Sequence, residues 1–547
     1  MLLSMLLGSA VLAVGAAPER PNILLVVMDD VSWRHIGATG CRGVDTPTMD
    51  RLARNGVRFD FAFCPAPACA PSRAALLTGR APWQNGEAAC HFAGFPKELL
   101  TYPEVLAKAG YHVGMTGKGW GPGEWMGSGR PHNPAGPAFD EKKLAPPPGI
   151  SSNDYAANFA DFLTQRPKDA PFCFWFGANE AHRGFAPGRG LKEGKKLADA
   201  EMLPYWPDRP ILRSDLLDYY AEIDWVDRHV GRMVEQLERA KMLENTLVVV
   251  TGDNGMPFPR CKSNLYDYGA RVPLVIAWPR RIPGGRVSTD FTTLADLAPT
   301  FLEAAAVPAP SGMTAKSLLP LLTSGKSGRI EKQRDAVVLA KEQHAWCQPN
   351  GQIAAMRALR TDKHLFIMNL RPNLWPNGDP DPQHTWNLEP FGDVDGGPER
   401  RTAKYLTMAL RNGPQHRLWE LSFARRPAEE LYDLERDPFQ TDDVAEKPAY
   451  AEIRQELRGR LEASLKNTGD PRFIGRPEVF DQAPYHTSHG LATAGLPPTK
   501  FAALTTDERA QALAAARQRI AEWPANGGLP KSIADLLAQS PADRTDK

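Results

Sequence analysis

The chain has 547 residues, of which 42% are hydrophobic, and this length is enough for one large domain and a smaller one. Its 65 Lys and Arg nearly balance its 64 Asp and Glu, so the net charge of +1 excludes the overall field with which proteins attract nucleic acid or anionic membranes. The seven cysteines lack the spacing of a metal finger. We therefore expect no nucleic-acid partner, and an anionic substrate would need local positive groups.

The N-terminal segment is apolar from Met1 to Ala17 and ends in small residues before the polar string Pro18-Glu19-Arg20. A membrane-spanning helix needs about 20 apolar residues, and this segment is shorter. We predict a signal peptide over residues 1–17 and an exported protein, either periplasmic or secreted. No other segment of the sequence is long and apolar enough to predict a membrane span.

Between residues 20 and 335, short apolar runs alternate with longer amphipathic runs, which predicts an α/β domain. The run Ile23-Leu24-Leu25-Val26-Val27 is continuously apolar, as expected for a strand of a parallel sheet covered on both faces. Predicted strands lie at 22–28, 112–115, 171–177, 246–251 and 272–278, and predicted helices at 49–55, 102–109, 154–165, 215–241 and 294–305.

The remaining segments predict a long loop, a second domain and an extension. Residues 119–149 are rich in Gly and Pro, which indicates a long loop near the functional site. Short strands at 353–359 and 364–369 and a helix at 450–464 predict a smaller α+β domain over residues 336–475. We interpret 430–438 as the link between these strands and this helix. Residues 476–547 form a C-terminal extension, predicted to be partly helical at 507–523 and 533–539.

Acidic residues follow two of the predicted strands. Asp29 and Asp30 end the first, and Thr251-Gly252-Asp253-Asn254-Gly255 ends another. Ligands of α/β sheets bind at the carboxyl ends of strands, and carboxylate and amide oxygens suit Ca²⁺ or Mg²⁺. Each string alone is weak evidence, because acidic pairs are common on surfaces and Asp-Asn-Gly most often forms a turn. Together they indicate a metal site.

The string Cys69-Ala70-Pro71-Ser72-Arg73 leads into a short apolar helix that Gly79 stops. This places Cys69 at a helix N-terminus, where free N–H groups and the helix dipole favour negative charge. Pro71 suits the first turn, and Arg73 lies one turn after Cys69 on the same face. A cysteine near a helix start is by itself most often a buried structural residue.

The complete string nevertheless resembles the signature of the sulfatase family, in which this cysteine is oxidised to formylglycine. The resemblance implies an alkaline-phosphatase-like sandwich, with a large, mixed, mostly parallel sheet between helices and a smaller C-terminal α+β domain. It implies that a formylglycine-generating or anaerobic sulfatase-maturating enzyme modifies Cys69. It also implies one Ca²⁺, with these ligands: Asp29, Asp30, Asp253, Asn254 and the modified Cys69.

The same resemblance implies roles for four further side chains. Arg73 is the partner of the hydrated aldehyde, which is the nucleophile toward sulfur. Lys118, in Thr116-Gly117-Lys118-Gly119, and Lys262, in the loop after Asp253, match the two basic residues that bind the sulfate group. His182 matches the active-site histidine that protonates the leaving atom.

The sequence departs from the family pattern in two places. Sulfatases usually carry a histidine two places after the lysine, where this chain has Trp120. They also tend to have His-Asp-Pro-His where this chain has Asn179-Glu180-Ala181-His182. The base for sulfate expulsion is therefore unassigned, whereas the metal ligands and the nucleophile are unaffected.

Several strings resemble the sulfamidase group of the family, above all Met256-Pro257-Phe258-Pro259 and Ser263-Asn264-Leu265-Tyr266. This resemblance implies hydrolysis of the N-sulfo group of glucosamine in heparan sulfate or heparin. An O-sulfatase acting on another sulfated polysaccharide is the main alternative. A catalytically impaired protein that binds sulfated glycans is a second alternative, which Trp120 favours and the intact Cys69 string disfavours. A phosphodiester hydrolase of the same superfamily is disfavoured, because those enzymes use an unmodified Thr or Ser and usually two metals.

The sequence leaves the sugar pocket and the oligomeric state open. His344, Arg357 and the loop residues Trp120 and Trp125 are candidates for lining a sugar pocket. Core or surface roles are equally consistent with each of these side chains.

Overall fold

The structure is a computed structural model that describes residues 20–381, 384–385, 389–395, 402–486 and 511. The predicted signal peptide at 1–17 lies outside the described residues. Apart from residue 511, the predicted helices at 507–523 and 533–539 lie outside them as well.

The described chain forms strands and helices in the following order along the sequence. The strands are β1 (Asn22–Met28), β2 (Val57–Phe59), β3 (Ala62–Phe63), β4 (His112–Gly117), β5 (Phe172–Gly177), β6 (Thr246–Gly252), β7 (Leu274–Ala277), β8 (Arg286–Ser288), β9 (Thr292–Thr293), β10 (Ala336–Lys341), β11 (Met356–Thr361), β12 (His364–Asn369) and β13 (Glu429–Asp433). The helices are α1 (Pro47–Arg54), α2 (Cys69–Thr78), α3 (Tyr102–Lys108), α4 (Tyr155–Gln165), α5 (Arg189–Lys192), α6 (Pro210–Arg239), α7 (Asp267–Ala270), α8 (Leu297–Ala304), α9 (Leu319–Thr323), α10 (Ala403–Met408), α11 (His416–Phe423), α12 (Ala451–Asn467) and α13 (Glu478–Asp481).

The large sheet has seven strands in the order β4-β5-β1-β6-β7-β2-β8. Strands β4, β5, β1 and β6 are parallel, whereas β7 runs antiparallel to both of its neighbours. Every residue of β1 is buried, because alternate side chains enter two different cores. Leu25 packs with α2 and α8 on one face of the sheet, and Leu24 packs with α4 and α6 on the other. The predicted mixed, mostly parallel sandwich is confirmed.

The smaller sheet is antiparallel, in the order β10-β11-β12-β13, and α12 covers one of its faces. The interpretation of 430–438 as a link between the strands and the later helix is wrong over its first half, since Glu429–Asp433 pairs with β12 as an outer strand. The segment forms a strand because its side chains alternate between two apolar surroundings. Leu431 packs under α12, and Tyr432 packs on the opposite face against the core of the large sheet. The Tyr266 hydroxyl, from the large domain, donates to Glu430 at 2.7 Å and ties the two sheets together.

Arg357, a candidate for the sugar pocket, instead lies inside the smaller domain. Its side chain is fully buried and pairs with Asp470 and Glu342, with Nη2 at 3.1 Å from Asp470 Oδ1 and 2.6 Å from Glu342 Oε1. The expectation of a pocket role for Arg357 is therefore wrong. A buried guanidinium needs buried carboxylates, and this site provides two of them.

We predict that Arg357→Ala lowers the free energy of unfolding by about 3–5 kcal/mol, because Asp470 would stay buried without its cation. Urea unfolding of the purified variant measures the loss. Arg458→Ala is the control, since half of the Arg458 side chain is exposed and its pairing with Glu429 at 3.0 Å is worth about 0–1 kcal/mol. Equal losses in the two variants would contradict the prediction.

Candidate active site

Acidic residues from β1 and β6 meet at the carboxyl edge of the large sheet. The two strands are parallel neighbours in a register that pairs Met28 with Gly252, so the residues that follow them lie side by side. The backbone N–H of Asp30 donates to Asp253 Oδ1 at 3.0 Å. All of these acids are almost completely buried, and the sequence-predicted metal ligands therefore come together as expected from strand ends.

A left-handed backbone at Asp30, with φ of 60°, brings two consecutive acids into one site. In a continuing strand, Asp29 and Asp30 would face opposite sides of the sheet. Aspartate tolerates the left-handed region better than most residues, so the turn can form here. As a result, Asp29 Oδ1 lies 3.3 Å and Asp30 Oδ1 3.9 Å from the sulfur of Cys69.

Cys69 is the first residue of α2, as predicted, and the helix ends at Gly79 in the left-handed conformation. Burial and the neighbouring Asp29 carboxylate raise the pKa of the Cys69 thiol well above its usual value. The unmodified side chain is therefore a neutral thiol, and a neutral thiol is a weak nucleophile. Trp120 Nε1 donates to the carbonyl oxygen of Ala70 at 3.0 Å and so holds the start of the helix in place.

Three cations surround the acids, each from a different segment. Arg73 Nε donates to Asp253 Oδ2 at 2.7 Å, Lys118 Nζ donates to Asp29, and Lys262 Nζ donates to Asp30 Oδ2 at 2.8 Å. The resemblance predicted all three side chains, and the structure places them around Cys69. Because each cation pairs with a carboxylate, three positive charges can lie close together near Cys69, and two of them, Lys118 and Lys262, reach the cavity.

Burial raises the pKa values of the three acids, whereas the neighbouring cations lower them. Burial would raise the pKa of Asp29, but Lys118 and Arg73 outweigh it and hold the pKa well below its usual value. Burial dominates at the other two acids and raises the pKa of Asp30 and that of Asp253 to about 6. These three carboxylates therefore differ in charge state below neutral pH.

The donor atoms fit a hard divalent cation. One ligand atom from each of Asp29, Asp30, Cys69 and Asp253 lies within 4.8 Å of the others. Asn254 donates from Nδ2 to Asp30 at 2.7 Å, whereas its buried Oδ1 has no hydrogen-bond partner among the described residues. An unpaired amide oxygen beside three carboxylates is a ligand set typical of Ca²⁺. The predicted ligands thus fit that ion.

Four of these groups, Asp29, Cys69, Lys118 and Lys262, line a cavity of about 820 Å³, which is large enough for a sugar, and the others lie buried behind them. Residues of the predicted loop at 119–149 line it, among them Gly121 and Pro122, and this expectation is confirmed. His344 lines the cavity as well. Trp120 and Trp125 do not, and Trp120 instead packs edge-on against Phe95 in the core.

His182 stands at the cavity with 41% of its side chain exposed. Its Nδ1 lies 3.2 Å from the carbonyl oxygen of Arg183, and because a carbonyl oxygen can only accept, Nδ1 carries a proton in this hydrogen bond. The other ring nitrogen, Nε2, is the one that lies near the carboxylates of Asp30 and Asp395. Nε2 lies 4.0 Å from Asp30 Oδ2 and 3.9 Å from Asp395 Oδ2. Enclosure by the cavity and the charge of Lys262 lower the pKa of His182.

His91 and Asp395 are among the cavity residues that were missed from the sequence. His91 stacks on His344 with ring centroids 4.5 Å apart, and Asp395 accepts from Lys262 at 3.1 Å. Asp395 lies between β12 and α10, far along the chain from the other site residues. No strand end or motif marks either residue, so no sequence signal pointed to them.

The site and the fold together define a class of hydrolase. A signature cysteine at a helix start, an oxygen-rich cluster that fits a metal ion and three cations lie together at one end of the sheet. The sulfatase family model matches residues 21–307, and the chain belongs to the sulfatase family, which hydrolyses sulfuric esters and sulfamides. The predicted membership is confirmed.

Within this family, the chain is similar to one group in particular. A model of the N-sulphoglucosamine sulphohydrolase C-terminal region matches residues 261–371. The N-sulphoglucosamine sulphohydrolase of Homo sapiens is 28% identical over 513 residues, which cover 86% of this chain and 95% of that protein.

Other relatives of similar sequence identity are named for other sulfated substrates. The N-acetylgalactosamine-6-sulfatase of Canis lupus familiaris is 29% identical over 386 residues, covering 59% of this chain and 70% of that protein. An ulvan-active sulfatase of Formosa agariphila is 26% identical over 496 residues, covering 85% of this chain and 78% of that protein.

Solved structures share the fold at low sequence identity. A structure described as a complex with its substrate D-glucosamine-2-N,6-O-disulfate has a TM-score of 0.58 at 20% identity, covering 82% of this chain and 98% of that chain. The phosphonate monoester hydrolase of Agrobacterium radiobacter has a TM-score of 0.56 at 19% identity, covering 83% and 97%. The alkaline-phosphatase-like fold is thus confirmed, and it serves more than one chemistry.

We predict that calcium affinity falls as the pH drops from about 7 to about 5. Asp30 and Asp253 have pKa values of about 6 without the ion, so acid protonates two ligands that must be ionised to bind it. Isothermal titration calorimetry at the two pH values measures the change. Asn254→Ala is the control, because it should weaken binding at both pH values without changing their ratio. An affinity that does not depend on pH would contradict the prediction.

Proposed function

We propose that this protein hydrolyses the N-sulfo group of glucosamine in heparan sulfate or heparin. The observation that carries the proposal is the base of the cavity, where Cys69, the predicted calcium ligands and three cations lie together. Similarity to N-sulphoglucosamine sulphohydrolase along almost the whole length of that relative supports the N-sulfo substrate.

The proposed chemistry uses a modified Cys69. Formylglycine formed from this residue supplies the nucleophile, and a Ca²⁺ ion held by the acidic cluster polarises the sulfo oxygens. Lys118 and Lys262 stabilise charge on those oxygens, and Arg73 holds the side chain at position 69 in place. His182 protonates the leaving atom from Nε2 in its imidazolium form, in which both ring nitrogens carry a proton.

The electrostatics of the cavity support an anionic substrate. In the cluster around Cys69, four carboxylates pair with three cations, so the fully ionised cluster has a net charge of −1 before a divalent cation binds and +1 afterwards. A sulfo group would therefore bind after the metal. In this proposal, Ca²⁺ has a binding role as well as a catalytic one.

An O-sulfatase acting on another sulfated polysaccharide is the second candidate. The relatives named for galactosamine-6-sulfate and ulvan favour it, and the core machinery would be the same. A glycan-binding protein without catalysis is less well supported, because the cysteine, its helix and the acidic cluster are all in place.

The proposal includes a maturation enzyme and export. A formylglycine-generating or anaerobic sulfatase-maturating enzyme would modify Cys69, and a sulfated glycan would be met outside the cytoplasm. Among the described residues, none of the helices combines the length and apolar character needed to cross a membrane. All seven cysteines are buried free thiols in the structure.

We predict that the mature protein releases sulfate faster from N-sulfoglucosamine than from 6-O-sulfated N-acetylglucosamine. The two sugars share the glucosamine ring but carry the sulfo group on N2 and on O6, respectively, and only the second is acetylated, so the comparison tests N-sulfo against 6-O-sulfo release. Ion chromatography of released sulfate gives kcat/KM for each sugar. Equal or faster release from the O-sulfated sugar would assign the protein to the O-sulfatase alternative.

We predict that active protein carries formylglycine at position 69, because the raised pKa leaves the plain thiol unreactive. Mass spectrometry of the peptide that contains Cys69 should find the aldehyde in proportion to activity. Cys69→Ala should abolish turnover, and Cys64→Ala, which changes a buried thiol outside the cavity lining, should still allow the modification. Full activity with thiol alone at position 69 would disprove the prediction.

A further inference from the structure

Asp395 differs from the other acids that line the cavity. A quarter of its side chain is exposed, whereas Asp29, Glu180 and Glu222 are almost completely buried. Its Oδ2 accepts from Lys262 at 3.1 Å, and its Oδ1 makes no hydrogen bond within the described part of the chain. Asp395 is not one of the residues predicted to bind calcium. Asp395 therefore presents an oxygen to the cavity.

The two residues that precede Asp395 are anchored to the smaller domain and to α10. Asp393 pairs with Lys341 at 3.3 Å and accepts from the backbone N–H of Ala345 at 3.1 Å. Lys404 Nζ donates to the carbonyl oxygen of Val394 at 2.9 Å. These contacts are buried, so the loop holds the Asp395 carboxylate at one place on the cavity wall.

The charge of Asp395 is opposite to that expected for a sulfate pocket. Burial would raise its pKa, but Lys262 and His182 outweigh burial and hold the pKa far below its usual value, so the group is ionised at neutral pH. An ionised carboxylate repels a sulfo oxygen. Its place on the wall is favourable only if the substrate brings a hydrogen-bond donor to it.

The position of that donor follows from His182. Its Nε2 lies 3.9 Å from Asp395 Oδ2, too far for a direct hydrogen bond. A leaving atom that lies between them, within about 3 Å of Nε2, is also within reach of the carboxylate. The leaving atom therefore meets a proton donor and a hydrogen-bond acceptor together.

We propose that Asp395 selects an amine as the leaving group by accepting a hydrogen bond from the sulfamate N–H. This inference rests on the proposed N-sulfo activity. A sulfamate nitrogen carries a hydrogen, whereas the bridging oxygen of a sulfate ester has only lone pairs, which the carboxylate repels. Asp395 thereby favours N-sulfo over O-sulfo sugars at the point where the bond breaks.

The proton and electron balance is simple. The S–N bond breaks, its electron pair stays on nitrogen, and the sulfo group passes to the nucleophile at position 69. The nitrogen takes the Nε2 proton of the imidazolium form of His182, which is left neutral with its proton on Nδ1, and keeps its own hydrogen, which points to Asp395. The resulting amine takes a further proton from water, and the ammonium product pairs with the carboxylate.

The test compares Asp395→Asn with the wild type on N-sulfoglucosamine and on 6-O-sulfated N-acetylglucosamine. We expect kcat/KM to fall about 10- to 100-fold on the N-sulfo sugar, as for the loss of a charged hydrogen bond, and to stay the same or rise on the O-sulfo sugar. Asp395→Glu, which keeps the charge, should recover part of the loss. Asp362→Asn, at an exposed ion pair with Arg329, controls for the change in net charge and should alter neither rate.

A binding measurement adds a readout without turnover. In protein with unmodified Cys69, calorimetry should show that Asp395→Asn weakens binding of glucosamine, whose ammonium group pairs with the carboxylate, but not of N-acetylglucosamine. If Asp395→Asn fails to fold in thermal unfolding, Asp395→Ser takes its place in both arms.

The outcomes separate the two proposals. A wild type inactive on the N-sulfo sugar overturns the proposed function and this inference with it. A wild type active on that sugar, with equal losses on both sugars or none in the variant, overturns the inference alone, since Asp395 would then only position Lys262 and His182. A loss confined to the N-sulfo sugar and to glucosamine supports the inference.

Discussion

Three carboxylates are buried together at the carboxyl edge of the large sheet, and like charges at such distances cannot all ionise without cations nearby. Helix α2 supplies Arg73, the loop after β4 supplies Lys118, and the loop after β6 supplies Lys262. Each of these segments is held against the sheet partly by its own ion pair. The structure around the cavity is therefore organised by the need to compensate buried negative charge.

That compensation is incomplete until a divalent cation binds. Asp30 and Asp253 keep pKa values of about 6, and the Asn254 side-chain oxygen lacks a partner among the described residues. Both are properties of a site that becomes stable when a hard cation neutralises the charge and takes the free oxygen. The same imbalance keeps the Cys69 thiol neutral, so the reactivity proposed for this position depends on its chemical modification.

The smaller domain shapes the wall of the cavity rather than its base. His344 follows β10, and Asp395 lies in the loop after β12, so both reach the cavity from the C-terminal part of the chain. A phosphonate monoester hydrolase shares the fold, so the sandwich alone does not select a sulfo group. Selection depends on a few wall residues, whose positions vary with the loops that carry them.

Local patterns in the sequence were enough for the longer strands β1, β4, β5, β6, β7, β11 and β12, for the helix at Cys69 and for the acids at two strand ends, but they missed the other described strands. Apolar runs and capping residues act over a few neighbours, and parallel strands bring their carboxyl ends to one edge. The cations and His182 came from resemblance to a family, and the structure puts them in one cavity. Pairing of Glu429–Asp433 with β12 was misread, because an outer strand of mixed polarity looks like a linker until its partner is known.

Only the tertiary structure decided the rest. A left-handed backbone at Asp30 directs its side chain into the site, and Trp120 packs in the core. Arg357 forms a buried ion pair, and Asp395 lies close to His182. These outcomes depend on contacts between residues far apart in the chain, and side-chain type alone does not encode them. The sequence by itself determined which chemistry the chain carries, whereas packing between distant loops decided which groups the substrate meets.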